Sequence, residues 1–217
     1  MLVRRRGDVM QTKETMMSVK PFAITLDVGT SLANRTGSWR TLKPVYVDRL
    51  PPCNAKCPAG EQCQAWLFHA QSGNYENAWK QIIEDNPFPA VMGRVCYHTC
   101  QGACNRNGID EPVGINAVER FLGDYALEKG WQLPVPAADT GKRILIVGAG
   151  PAGLSAAYQL RRLGHAVHVV ESAEAAGGMM RYGIPKYRLP REVLDQEIAR
   201  ITALGVEFEF GREVPQC

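Results

Sequence analysis

Six of the seven cysteines fall in two short groups, Cys53/Cys57/Cys63 and Cys96/Cys100/Cys104, and about forty residues further on stands the glycine-rich run Val147-Gly148-Ala149-Gly150-Pro151-Ala152-Gly153-Leu154. Thiolates bind soft iron, and a strand-to-helix turn without side chains receives a pyrophosphate on its backbone amides. Together the two signals describe electron transfer between iron–sulfur clusters and a flavin better than either does alone.

The cysteine spacing does not settle the metal. Three residues separate Cys53 from Cys57, Cys96 from Cys100 and Cys100 from Cys104, and five separate Cys57 from Cys63. If residues 96–104 are helical, four-residue steps put all three thiols on one face. Neither the paired C-x2-C grammar of zinc ribbons nor the local run of small bacterial ferredoxins is matched. Tetrahedral thiolate sites serve zinc and iron alike, so both stay open on spacing. His98, inside the second group, reads as a surface or capping residue, and the isolated Cys217 takes no role.

The nucleotide signal is stronger because its context is complete. Gly148, Gly150 and Gly153 follow an apolar strand, open a helix at Pro151-Ala152, and precede Glu171 at the end of the next strand. Gly148 permits the turn, Gly150 lets the backbone approach the pyrophosphate, and Gly153 lets helix and strand pack. Glu171 is placed to accept hydrogen bonds from a ribose, which FAD and NAD share. A second pair, Gly177-Gly178, followed by Met179 and Arg181, favours FAD, since a bare backbone there can pass close to a flat ring.

The elements that must position these groups follow from periodicity. Residues 1–50 form an irregular leader. Helices are predicted over 61–70, 75–84 and 115–129, the second carrying Tyr75, Ala78, Trp79, Ile82 and Ile83 on one stripe. Asn86-Pro87-Phe88-Pro89 stops that helix. A helical domain therefore spans 51–132, a linker rich in proline and alanine spans 133–141, and 142–217 turns to βαβ grammar: strand 143–147, helix 151–163, strand 166–171, helix 191–204 and strand 206–210.

With 217 residues, 45% hydrophobic and 22% charged, the chain can bury one ordinary core or two small ones. A net charge of +3 with scattered lysines and arginines gives no case for nucleic acid. No secretory h-region follows the basic amino terminus, and the apolar stretch 144–158 is broken by three glycines and a proline, so no membrane span is expected. The expected setting is cytoplasmic, where clustered cysteines are metal ligands or redox groups rather than disulfides.

Pro52-Cys53-Asn54-Ala55-Lys56-Cys57-Pro58, Asp85-Asn86-Pro87, Gly93-Arg94-Val95-Cys96, Cys100-Gln101-Gly102-Ala103-Cys104-Asn105 and the run from Glu111 to Phe121 resemble the amino-terminal iron–sulfur domain of the glutamate synthase small subunit and of dihydropyrimidine dehydrogenase. Residues 147–154 and 177–190 are similar to the FAD domain of the same family. The likeness covers about residues 50–212. It implies an α + α/β fold, with a helical, α-helical-ferredoxin-like iron–sulfur domain followed by a partial Rossmann-like FAD-binding domain.

By position, the resemblance makes Cys57, Cys96 and Cys100 three ligands of one [4Fe–4S] cluster. Glu119 falls where dihydropyrimidine dehydrogenase uses a glutamine as fourth ligand. Cys53 and Cys104 match two ligands of the family's other cluster, whose remaining cysteines should precede Cys53, where residues 1–52 contain none. One cluster is the expectation, and a second is incomplete. Cys63 is an extra cysteine.

The family takes hydride from NADPH or NADH onto FAD and passes single electrons through [4Fe–4S] clusters to a partner subunit. An NAD(P)H-dependent oxidoreductase with an electron-accepting partner is therefore expected. It needs no general base or nucleophile, because the cofactors carry the chemistry. The nicotinamide domain that interrupts the family's FAD domain is missing here, so the chain reads as the front part of a longer protein. Two other readings stand beside it: a non-catalytic iron–sulfur electron-transfer or assembly module of a larger complex, and a zinc-stabilised nucleotide-binding protein.

Overall fold

The computed structural model describes residues 50–214; the leader read over 1–50, Leu50 excepted, and Cys217 lie outside them. Pro52 opens α1 (Pro52–Lys56) from its first turn, where a missing N–H leaves nothing unpaired. Next come α2 (Cys63–Gln71), α3 (Tyr75–Ile82), α4 (Pro89–Val95), α5 (Thr99–Gly102), a 3-10 turn at Asn105–Gly108, and α6 (Ile115–Glu128). The predicted stripe of α3 is realised: Ala78, Trp79 and Ile82 are buried, with Ile83 just beyond.

The helix conceived over 96–104 does not form. Cys96 and Cys104 are extended, and His98 sits at φ 56°, capping the one-turn α5 from the left-handed region. A non-glycine residue there breaks any continuous helix, so the three thiols are carried by a kinked path rather than by one face.

Two glycines set the packing of α4 on α6. A methyl at Gly93 would lie 2.4 Å from the Arg120 Cα, and one at Gly123 would lie 2.3 Å from the Ala90 nitrogen. The two backbones therefore touch, and Arg94 locks the pair with a two-pronged bond to Asp124 at 2.7 and 2.9 Å.

After residue 141 the chain builds three parallel strands, β1 (Arg143–Val147), β2 (Ala166–Glu171) and β3 (Glu207–Phe210), in the order β1-β2-β3. Their register pairs Val147 with Val170 and Glu171 with Phe210. The crossings are α7 (Pro151–Arg162) and then α8 (Met179–Tyr182) with α9 (Arg191–Ala203). Both strands of the first βαβ unit fall at the predicted residues, because the Gly-Ala-Gly turn and Gly164 punctuate them.

The stretch 133–141 is packed. Leu133 is buried, and the Ala137 and Thr140 N–H groups donate to the Arg162 and Gly164 carbonyls at 3.0 and 3.1 Å. One hydrophobic core runs across it, joining Trp79, Ile83, Phe88 and Val91 to Leu154, Tyr158, Leu194 and Ile201. The Tyr158 hydroxyl donates to the Ile83 carbonyl at 2.8 Å within that core. A smaller core of Cys63, Trp66, Ala78, Ile82, Ile115 and Leu122 lies against Cys53, Cys57 and Cys100. Among the described residues no helix is long and apolar enough to cross a membrane.

Candidate metal centre and nucleotide cleft

α2, α5 and α6 and the carboxyl ends of α1 and α4 converge on a cavity of about 130 Å3 whose walls include Cys57, Cys63, Cys96, Cys100, Glu61, Asn86 and Glu119. Asn54 ties α1 to α2: its carbonyl oxygen accepts the Gln64 N–H at 3.1 Å, and its amide donates to Gln62 at 3.1 Å. The Thr99 hydroxyl donates to the Lys56 carbonyl at 2.8 Å, tying α5 to α1. Four thiols thus reach one chamber although their helices are short.

The backbone is already arranged for thiolates. The His98 N–H donates to the Cys96 sulfur at 3.5 Å, and the nearby backbone amides of Glu61, Ala59 and Gly60 favour the Cys57 thiolate as that of Gln101 favours the Cys100 thiolate. Amide-to-sulfur bonds of this kind stabilise metal-bound thiolates and tune cluster potential. The neighbouring Cys63 thiol is the main influence that lowers Cys57 to about 6 and Cys100 to about 7, against burial. Cys63 itself is pushed up by Cys100, by Cys57 and by burial. Burial also raises Cys96.

Beside the thiols sit two buried carboxylates that share one amide. Asn86 Nδ2 donates to Glu61 at 2.9 Å and to Glu119 at 3.0 Å, while its Oδ1 accepts the Phe88 N–H at 3.0 Å. Burial, then the nearby Cys57, lifts Glu61 to about 7; burial, then Glu61, lifts Glu119 well above the carboxylate range.

The structure brings Cys57, Cys96, Cys100 and Glu119 together and leaves Cys53 and Cys104 outside the chamber walls. Sequence reasoning had no role for Glu61 or Asn86. Asn86 was visible within Asp85-Asn86-Pro87, but its partners lie 25 and 33 residues away, beyond the reach of local spacing. The donor set fits an iron–sulfur cluster: soft sulfurs line one cavity, and backbone amides lie beside them.

The nucleotide cleft opens at the carboxyl ends of β1 and β2, lined by Val147, Gly148, Val170, Glu171, Ser172, Arg212, Glu213 and Val214. Gly148 lies at φ 96°, and a methyl on Gly153 would stand 1.9 Å from the Gly148 oxygen, so both need glycine. Gly150, capping α7 ahead of Pro151 and Ala152, has open space where a side chain would project. That is the cradle a pyrophosphate enters.

Burial opposes ionisation of Glu171, but the Ala173 and Ala149 N–H groups, at 2.9 and 2.6 Å, and Ser172 hold it below the usual range. Gly177 and Gly178 do not line the cleft. The Gly177 N–H donates to the Ala149 carbonyl at 2.8 Å, and a methyl on Gly178 would lie 2.8 Å from the Gly150 Cα. Their bareness serves close approach to the fingerprint turn. Met179 is exposed, and the Arg181 guanidinium bonds the Ala176 carbonyl and Asp195. Arg212, at the cleft wall, was not singled out from the sequence.

A thiol-lined chamber and a glycine-turn cleft on one chain define an iron–sulfur, dinucleotide-binding class of protein. Residues 47–131 match dihydropyrimidine dehydrogenase domain II, 4Fe-4S cluster, and residues 146–198 match the NAD(P)-binding Rossmann-like domain. It is 38% identical over 186 residues to the NADP(+)-dependent formate dehydrogenase subunit beta of Moorella thermoacetica, covering 75% of this chain and 26% of that one. The NAD-dependent dihydropyrimidine dehydrogenase subunit PreT of Salmonella typhimurium is 40% identical over 165 residues, 75% of this chain and 40% of its own. The glutamate synthase [NADPH] small chain of Bacillus subtilis is 37% identical over 159 residues, 73% of this chain and 32% of its own. The chain thus spans between about a quarter and two fifths of these relatives.

Proposed function

We propose that this chain is the cluster-bearing and first nucleotide-binding portion of an NAD(P)H-dependent flavoprotein oxidoreductase, and that it hands electrons to a partner subunit. Cys57, Cys96 and Cys100 hold a [4Fe–4S] cluster, which supplies one-electron storage when bound. Gly148, Gly150 and Gly153 with the amino end of α7 hold the FAD pyrophosphate, and Glu171 faces its ribose. The single observation that carries this reading is the chamber: Cys57, Cys63, Cys96 and Cys100, brought by four separate helical segments, line one cavity, and the His98 N–H donates to the Cys96 sulfur. Relatives named as NADP(+)-, NAD- and NADPH-dependent subunits support the electron donor and the existence of a partner. The six described cysteines are free, in keeping with a reducing, cytoplasmic setting.

Protein purified without oxygen and reconstituted with iron and sulfide should carry about four irons per chain, and it should bind FAD. Cys57→Ser or Cys100→Ser should remove most of that iron while leaving the flavin bands. Zinc without iron or acid-labile sulfide in the wild type would overturn the reading.

A further inference from the structure

We propose that Asn86 is a positioning residue of the cluster site, a step that rests on the iron–sulfur reading above. Its amide nitrogen holds the Glu119 carboxylate at the thiol chamber, and Glu119 supplies the donor that Cys57, Cys96 and Cys100 leave one iron without. Three thiolates serve three irons of a [4Fe–4S] cluster, so the remaining iron needs a donor from the same walls. Glu119, 6% exposed on α6, lines the chamber with those thiols. Its Oε1 accepts from Asn86 Nδ2 at 3.0 Å, and among the described residues nothing donates to its Oε2. One oxygen is thus anchored and the other is left for a ligand bond. Cys63, by contrast, is packed with Trp66, Ala78, Ile82, Ile115 and Leu122, the surroundings of a cysteine that serves as a small apolar filler.

Asn86 is itself rigidly mounted. It is 4% exposed just beyond α3, its own N–H donates to the Ile82 carbonyl at 2.9 Å, and its Oδ1 accepts the Phe88 N–H at 3.0 Å. Pro87, between them, narrows the backbone choices of Asn86. The bond from Phe88 also fixes which end of the amide is nitrogen, since the flipped amide would set an oxygen against two carboxylates. Those carboxylates come from distant parts of the chain: Nδ2 gives one hydrogen to Glu61 at 2.9 Å and the other to Glu119 at 3.0 Å. A Glu61 oxygen and the Cys57 and Cys63 sulfurs all lie within 4.8 Å of one another, so one amide steadies both acids beside the sulfurs. Two buried carboxylates without a donor between them would repel each other and turn apart. An aspartate at this position would offer only acceptors.

The test is a double-mutant cycle in the full chain, reconstituted and handled without oxygen. It compares Asn86→Asp, which keeps the acceptor for the Phe88 N–H and loses both donors, with Glu119→Ala and with the two combined. Each protein meets graded concentrations of a ferrous chelator; iron and sulfide per chain are counted, and EPR spectra are recorded after ferricyanide oxidation and after reduction. The chelator concentration that removes the fourth iron should fall about 10–100-fold in Asn86→Asp, the usual cost of losing an outer-shell partner, with the near-isotropic signal of an oxidised three-iron cluster appearing as that iron leaves. Glu119→Ala should release it at least as readily, and adding Asn86→Asp to Glu119→Ala should change nothing further. A wild-type chelator profile in either single variant, or a further fall in the combined one, would overturn the proposal. Asn86→Ala, which adds no buried charge, guards against misfolding: with wild-type circular dichroism it should show the same weakened fourth iron, and a wild-type profile counts against the role. Cys57→Ser separates the two readings, because its loss of iron upholds the cluster whatever Asn86 does, whereas an iron-free wild type ends both.

Discussion

A methyl group on Gly153 would stand 1.9 Å from the Gly148 carbonyl oxygen, while one on Gly150 would meet nothing within 4 Å. The two glycines of one fingerprint therefore answer to different demands, one internal and one directed at a ligand. Gly153→Ala should lower stability by about 1–3 kcal/mol, the usual range for overpacking, and should lose FAD with the displaced helix. Gly150→Ala, at an ordinary φ of −75°, should melt near the wild type yet still bind FAD weakly, because its methyl occupies the pyrophosphate's path. Thermal melts paired with flavin content check both, and equal melting of the two variants would refute the division of labour. This part of the site was legible in the sequence because a turn's demand for glycine is local. Asn86 and Glu197 were not, because the groups they serve are far away along the chain.

Glu197, on α9, is fully buried and accepts the Ala90 and Val91 N–H groups at 2.9 and 3.1 Å, at the start of α4. It holds the helix that ends at Cys96 against the nucleotide-binding half. In the sequence Pro87 and Pro89 mark the end of a helix, and no period there marks α4. Pro89 in fact begins one, since a proline at the first turn gives up no needed hydrogen bond. The long amphipathic helices and the βαβ strands were legible from their periods, whereas the short helices around the thiols depend on tertiary bonds and on His98 in a left-handed conformation. Burial pushes the Glu197 carboxyl up to about 8, against the pull of the Ala90 and Val91 amides, Arg200 and Arg94. A folded-state value raised above 4.5 means the folded chain binds the extra proton. Its stabilising share is full below that unfolded value and is lost as pH rises through about 8. Glu197→Gln turns an amide NH2 toward one of the two backbone donors and should cost about 1–3 kcal/mol at about pH 5. The gap to wild type should narrow toward about pH 9, read from denaturant unfolding at each pH. Parallel stability curves for the two proteins would show that Glu197 does not titrate in this window.

At the scale of the whole molecule, the sequence divides at a proline-rich stretch while the core does not. Composition marks 133–141 as a tether because proline and alanine dominate it, but composition does not record which carbonyls the backbone will meet. Trp79, Ile83 and Phe88 from the thiol-bearing half are buried together with Leu154, Tyr158 and Ile201 from the nucleotide-binding half. Side chains from the second half also bond the end of α3: Gln159 and Arg162 both donate to the Glu84 carbonyl, at 2.9 and 2.8 Å. Residues that share one close-packed interior lose their contacts together, so the two halves should unfold in a single transition, followed alike by far-UV circular dichroism and tryptophan fluorescence. Trp66 and Trp79 report the first half and the strands report the second, which makes the coincidence of the two probes informative. Tyr158→Phe removes the donor to the Ile83 carbonyl and leaves that oxygen buried and unpaired, an expected loss of about 1–3 kcal/mol. Both probes should shift to the same lower midpoint in that variant. Separate midpoints in the wild type, or a Tyr158→Phe shift seen by one probe alone, would mean that the halves fold independently and that the cluster chamber does not depend on the nucleotide-binding half for its shape.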